Sequence, residues 1–232
     1  MAEIIPAILE KNFSEIKNKL AVLREQVRCA HIDICDGIAV PNMSWPFASG
    51  GFVDFDFQKI MNEEEGMPFW EEFDFEFDLM VADAVENFDL YMKLGPKRII
   101  FHPDLGKDVE EFEHFLEGLD IYMRDNVEIG IAFKPSDDMA LISKLSHKVD
   151  FLHCMGSDKI GFQGEVFSEK ALENIKFLKK NLPEVVISVD IGVNLQNAQM
   201  ILGACADRLA VGSSIWKNPD PIGALQTFQN LV

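Results

Sequence analysis

Apolar and polar positions follow two rhythms along this chain, and the rhythms take turns. Short runs rich in β-branched and aromatic residues predict strands at residues 3–9, 30–36, 75–81, 98–103, 128–134, 151–156, 185–192 and 208–213. These runs are apolar almost throughout, as expected of parallel strands covered on both faces. Between them the spacing turns helical. Helices are predicted at 137–145, 169–181, 196–203 and 221–231, with Ser168 as the N-cap of the second and Asn194 or Leu195 at the start of the third. Leu94-Gly95-Pro96 stops another. Eight strand–helix units in 232 residues predict an α/β fold, a (β/α)8 TIM barrel forming a single domain over residues 1–232. The rival is a doubly wound open sheet. That fold carries a glycine-rich loop after its first strand, and here the strand runs on into Ile8-Leu9-Glu10-Lys11-Asn12. Residues 62–74, with Glu63-Glu64-Glu65 and then Phe69-Trp70, interrupt the alternation. They are expected to be an insertion with a solvated acidic face between the second and third strands.

Charge narrows the function. Lys and Arg number 21 against 39 Asp and Glu, a net charge of −18. Such a chain repels phosphate backbones and anionic lipid, so neither nucleic-acid nor membrane-surface binding is expected. No apolar run approaches the roughly 18 residues of a membrane span. Residues 1–12 show no basic stretch followed by an apolar one, so a cytoplasmic protein is expected. Cys29, Cys35, Cys154 and Cys205 make no CxxC pair, which sets aside zinc ribbons and thioredoxin motifs and leaves free thiols.

In a barrel the chemistry sits at the C-terminal ends of the strands. The second strand ends His31-Ile32-Asp33-Ile34-Cys35-Asp36-Gly37, and alternation puts His31, Asp33 and Cys35 on one face. Asp78 closes the third strand and Asp190 the seventh. One histidine and three aspartates at one barrel end would repel strongly, and a divalent cation is the simplest resolution. A salt bridge between His31 and Asp33 is the plainer alternative, as is an N-cap or outward-facing role for Asp78 or Asp190. After strands seven and eight come Gly192 and then Gly212-Ser213, where barrels gather backbone N–H groups around phosphate. The loop 156–164 carries Gly161-Phe162-Gln163-Gly164 and is expected to act as a glycine-hinged lid.

These residues resemble the ribulose-phosphate 3-epimerase family over nearly the whole chain. The resemblance is carried by Ile5-Pro6-Ala7-Ile8-Leu9, by His31 through Gly37 with Val40-Pro41-Asn42, and by Asp78-Leu79-Met80-Val81. Phe101-His102, Gly130 through Pro135, Met155, Gly161-Phe162, Val189 through Asn194 and Gly212-Ser213 extend it. The resemblance implies a TIM barrel of carbohydrate and pentose phosphate metabolism that inverts carbon 3 of a ketose phosphate. It implies one divalent metal ion (Zn, Mn, Fe, Co or Mg), with His31, Asp33, Asp78 and Asp190 as ligands and Asp33 and Asp190 as the acid/base pair. Gly161, Gly192, Gly212 and Ser213 would bind phosphate. Ala7, Met80, His102, Lys134 and Met155 would lie near the sugar. The expected partners are a small-molecule sugar phosphate and further copies of the chain.

The sequence also departs from the family. A third-strand histidine ligand is replaced by Asp78, a first-strand serine by Ala7, a second-strand methionine by Cys35, a fifth-strand asparagine by Lys134, and a glycine pair by Ile191-Gly192. The lid, normally Ser-Val-Asn-Pro-Gly-Phe-Gly-Gly-Gln, runs here from Gly156 to Gly164. One histidine with three aspartates makes a harder site, better suited to Mn or Mg than to Zn. The alternatives are a hexulose-phosphate epimerase or lyase on a related phosphate-binding barrel, or a non-catalytic sugar-phosphate-binding homologue.

Overall fold

The computed structural model describes residues 2–104 and 109–232. Eight strands form a closed barrel in the order β1 to β8, with the helices interleaved. The strands are β1 (Glu3–Ile8), β2 (Cys29–Cys35), β3 (Asp74–Met80), β4 (Pro96–Phe101), β5 (Glu128–Phe133), β6 (Phe151–Met155), β7 (Val186–Asp190) and β8 (Arg208–Val211). Among the described residues the α-helices are α1 (Phe13–Leu23), α2 (Phe55–Met61), α3 (Phe88–Met92), α4 (Val109–Gly118), α5 (Ile121–Asn126), α6 (Met139–Leu145), α7 (Glu169–Asn181), α8 (Ala198–Gly203), α9 (Ser213–Trp216) and α10 (Pro221–Gln229). All eight expected strands are present. Several end a residue or two early because the next residue turns: Ile191 and Gly192 take φ of +63° and +78°, which stops β7 at Asp190. Ser213, expected to finish β8, instead opens α9.

The chain packs as two compact units, one running from Ile8 to Glu128 and the other joining the chain start through Ala7 to Ile129–Val232. Within the first, β2, β3 and β4 pair in parallel, setting His31 opposite Glu76 and Asp33 opposite Asp78. The β3–β4 register slips between Phe75 and Glu76: Phe75 faces Pro96, and Glu76 faces Arg98. Outward-facing Ile32, Ile34, Phe75, Phe77 and Ile99 are buried, so helices cover these strands as parallel strands require. The long connection after β2 is pinned down. Trp45, fully buried, donates from Nε1 to Asp54 at 3.0 Å, and Asp54 also caps α2 through the Phe57 N–H at 2.8 Å. Residues 62–73 follow α2, with Glu63, Glu64 and Glu65 exposed while Met67 and Phe73 are buried beneath.

In the second unit β5 pairs β6, β6 pairs β7, β7 pairs β8 and β8 pairs β1. Met155 stands opposite Asp190 and His153 opposite Ser188. Helix α7 occupies the predicted span, with Ser168 accepting from the Lys170 N–H. Helix α8 begins at Ala198, later than the sequence suggests. The Asn194 side chain accepts the N–H groups of Gln196 and Asn197 and forms the turn that delays it.

Candidate active site and metal centre

Ile32 and Ile34 point out toward the helices, so His31, Asp33 and Cys35 necessarily point in. All three are buried. The His31 ring is gripped from both nitrogens: Nδ1 lies 2.7 Å from Glu76 Oε1, and Nε2 lies 3.2 Å from Asp33 Oδ1. Burial pushes the His31 pKa down, but the two carboxylates outweigh it and hold the ring well above its ordinary range. The Asp33 carboxyl is raised, first by burial; His31 pulls it down and Asp78 pushes it up further. Cys35 is driven far up by burial and by Asp33 and Asp78, so it stays a thiol and supplies no nucleophile.

Asp78 is fully buried, and its Oδ1 sits 2.6 Å from His102 Nε2. His102, expected near the sugar, is tied to Asp78. Glu76 also forms an ion pair with Arg98, Oε2 to Nε at 2.7 Å, and Arg98 donates to Cys29 Sγ at 2.8 Å. Asp36, just past β2, accepts the N–H groups of Ile38, Ala39 and Ala82 at 2.7–2.8 Å, so its oxygens are committed to backbone.

Among the described residues, His31, Asp78, His153 and Asp190 each offer one ligand atom within 4.8 Å of the other three, and all four are buried. Three of these were expected from sequence. Asp33 lies beside the group, on His31, and His153 is the unforeseen member. The signal for His153 was available, since it lies two residues before Met155 on β6 and so shares its face. Glu76 stands in the same relation to Asp78. With His153 the donors are two imidazoles and two carboxylates, a softer set than one histidine with three aspartates.

In the second unit the loops are built on glycine. Gly161, Gly164 and Gly192 take φ of +83°, +86° and +78°. A Cβ on Gly192 would meet the Phe167 nitrogen at 2.7 Å, so the segment after β6 lies directly on the turn after β7. Ile191 keeps a left-handed turn at φ +63° without being glycine, a strained conformation for a β-branched residue. Gly212 and Ser213 follow β8, and a Cβ on Gly212 would strike the Gln163 amide at 2.5 Å. The Ala7 carbonyl, at the end of β1, accepts from Trp216 Nε1 at 2.7 Å and from Gln163 Nε2 at 3.3 Å. Met80 closes β3 and Met155 closes β6, both buried. Lys134 follows β5 half-buried, its backbone N–H on Asp137. No helix among the described residues is long and apolar enough to cross a membrane.

Comparison with known proteins bears on the family and the fold. A model of the ribulose-phosphate 3 epimerase family matches residues 3–216. The ribulose-phosphate 3-epimerase of Bacillus subtilis is 24% identical over 226 residues, covering 95% of this chain and 94% of its own length. That of Escherichia coli K12 is 25% identical over 222 residues, covering 94% and 90%. Among solved structures, 3-hexulose-6-phosphate synthase from Salmonella typhimurium superposes with a TM-score of 0.68 at 16% identity, covering 99% of this chain and 97% of its own. That last likeness speaks to the fold alone.

Proposed function

We propose, from the premise that this chain belongs to the ribulose-phosphate 3-epimerase family and is an isomerase, that it inverts carbon 3 of a ketose phosphate of the ribulose 5-phosphate and xylulose 5-phosphate kind, using two carboxylates and a divalent ion. The observation that carries this is the buried meeting of His31, Asp78, His153 and Asp190, with Asp33 alongside. Two imidazole nitrogens and two carboxylate oxygens are a fitting donor set for Zn, Mn, Fe or Co. His31, Asp78, His153 and Asp190 would hold the ion, and its positive charge would offset the negative charge that grows as carbon 3 loses its proton.

The chain's own residues do the rest. Asp33, its pKa raised by burial, is suited to take a carbon-bound proton near neutral pH. Asp190 supplies a proton to the other face, because inversion needs a donor opposite the acceptor. Met80 and Met155, buried at their strand ends, keep water from the exposed carbanion. Backbone N–H groups at Gly192, Gly212 and Ser213, with Gly161 in the loop above, receive the phosphate. His102 acts through Asp78 by fixing one of its oxygens.

The test is ribulose 5-phosphate in deuterated water with purified protein, following xylulose 5-phosphate and deuterium at carbon 3 by NMR, with metal content assayed on the same sample. Conversion with exchange at carbon 3 supports the proposal. A folded, metal-loaded protein that neither converts nor exchanges overturns it. Formaldehyde release from a hexulose 6-phosphate in a parallel sample would move the assignment to the lyase alternative.

A further inference from the structure

We infer that Glu76, clamped by Arg98, is the positioning residue of the centre: it takes the Nδ1–H of His31 and leaves Nε2 as the nitrogen that ring offers to an ion. This rests on the metal-binding reading above. Three adjacent strands contribute, with His31, Glu76 and Arg98 in register one step below the Asp33–Asp78 pair. All three side chains are buried. Each Glu76 oxygen has its own partner, Oε1 at 2.7 Å from His31 Nδ1 and Oε2 at 2.7 Å from Arg98 Nε. Neither Glu76 nor Arg98 belongs to the group of four that meets within 4.8 Å.

Stability does not account for this arrangement. A buried glutamate–arginine pair is commonly no better than apolar side chains of the same volume, because two desolvated charges offset most of what they gain from each other. The backbone is also adjusted for it. The register slip between Phe75 and Glu76 lets β4 pass over Lys97, so that Arg98 lies opposite Glu76. Irregularities of this kind re-aim side chains near functional sites. A carboxylate on the far nitrogen of a ligating histidine fixes the ring's orientation and strengthens it as a ligand. Arg98 holds the second oxygen of that carboxylate, and its bond to Cys29 Sγ at 2.8 Å holds the guanidinium in place.

The experiment measures Co(II) affinity of the metal-stripped full chain by chelator competition, together with the visible spectrum of the cobalt form. It uses the wild type, Arg98→Met, Arg98→Lys and Glu76→Gln, each checked for folding by circular dichroism. Folded Arg98→Met and Glu76→Gln are expected to bind at least about 10-fold more weakly with an altered cobalt spectrum, and Arg98→Lys to recover most of the loss. If Arg98→Met does not fold, the isosteric Glu76→Gln decides. Folded variants with wild-type affinity and spectrum overturn the inference and leave the metal reading standing. A wild type that takes up no ion overturns both.

Discussion

Between Ile8 and Glu128, the site is made of buried side chains that grip one another: His31 with Asp33 and Glu76, Glu76 with Arg98, Asp78 with His102. The unit that joins the chain start to Ile129–Val232 brings His153 and Asp190 and is otherwise built on close backbone turns. Its loops turn on Gly161, Gly164 and Gly192, and its strand ends press so closely on neighbouring chain that Gly192 has no room for a methyl group. The two styles suit different tasks. Proton transfer and metal binding need ionisable groups whose orientation is fixed, and fixed orientation underground requires partners. Anion binding needs N–H groups brought close together, and glycine eases that approach. His153 and Asp190 are the two ionisable side chains that the glycine-built unit brings to the group of four, and the proposed role of Asp190 is where the comparison can be tested.

The largest expected effect breaks the comparison there. Asp33→Asn and Asp190→Asn should each lower epimerisation by about 10³-fold, because each removes one of two proton-transfer groups. Metal content is measured on the same samples, since Asn is the poorer ligand. If Asp190→Asn keeps its ion and epimerises near the wild-type rate, the two-carboxylate assignment falls and only the first unit does chemistry.

Stability sharpens the contrast within the glycine-built unit. Gly192→Ala should cost about 2–3 kcal/mol, since it combines a left-handed φ with a backbone collision at the Phe167 nitrogen. Gly212→Ala meets the movable end of Gln163 and lacks the left-handed φ, so it should cost less than about 1 kcal/mol. Urea unfolding ranks them, and the reverse order would mean that Gly212 is the close backbone approach.

Acidity probes the other unit. In the ion-free chain the His31 pKa is raised above its ordinary 6.5 by Asp33 and Glu76. A raised native pKa contributes stability that is whole below the unfolded value and lost as pH climbs through the native one. Asp33, also raised, acts with the same sign. The melting temperature of chelator-treated protein should therefore fall as pH rises above about 6.5, while added Mn, which on the proposed reading competes with the His31 proton, should stabilise more as pH rises. An ion-free melting temperature that rises over this range would contradict the pairing. The smallest effect lies outside both designs: Glu64→Gln, in the exposed acidic run, should shift unfolding by no more than about 0.5 kcal/mol.

The barrel was legible because each strand is a compact apolar run set off by helical spacing. Its edges were less so: the left-handed turns at Ile191 and Gly192 end β7, and a β-branched residue gives no warning of such a turn. His31, Asp33, Asp78 and Asp190 follow from alternation at the strand ends. Glu76 and His153 obey the same alternation at the depth of His31, one step before the strand ends, and no motif marks them out from the apolar residues around them. Arg98 was beyond reach for a different cause. Its place opposite Glu76 depends on a register slip past Lys97, and pairing between strands leaves no trace in the order of residues along one of them.

Asp36 has a consequence for how this molecule could change over generations. One carboxylate receives Ile38 and Ala39 from the connection after β2 and Ala82 from the turn after β3. The two loops are thereby fastened to one carboxylate, so a change in either bears on the other. A lineage that shortened the first would set free an N–H in the second, and one that remodelled the second would unfasten the turn leading to Val40-Pro41-Asn42. The exposed run Glu63 to Glu65 makes none of the three bonds to Asp36, so lengthening it would leave that tether intact.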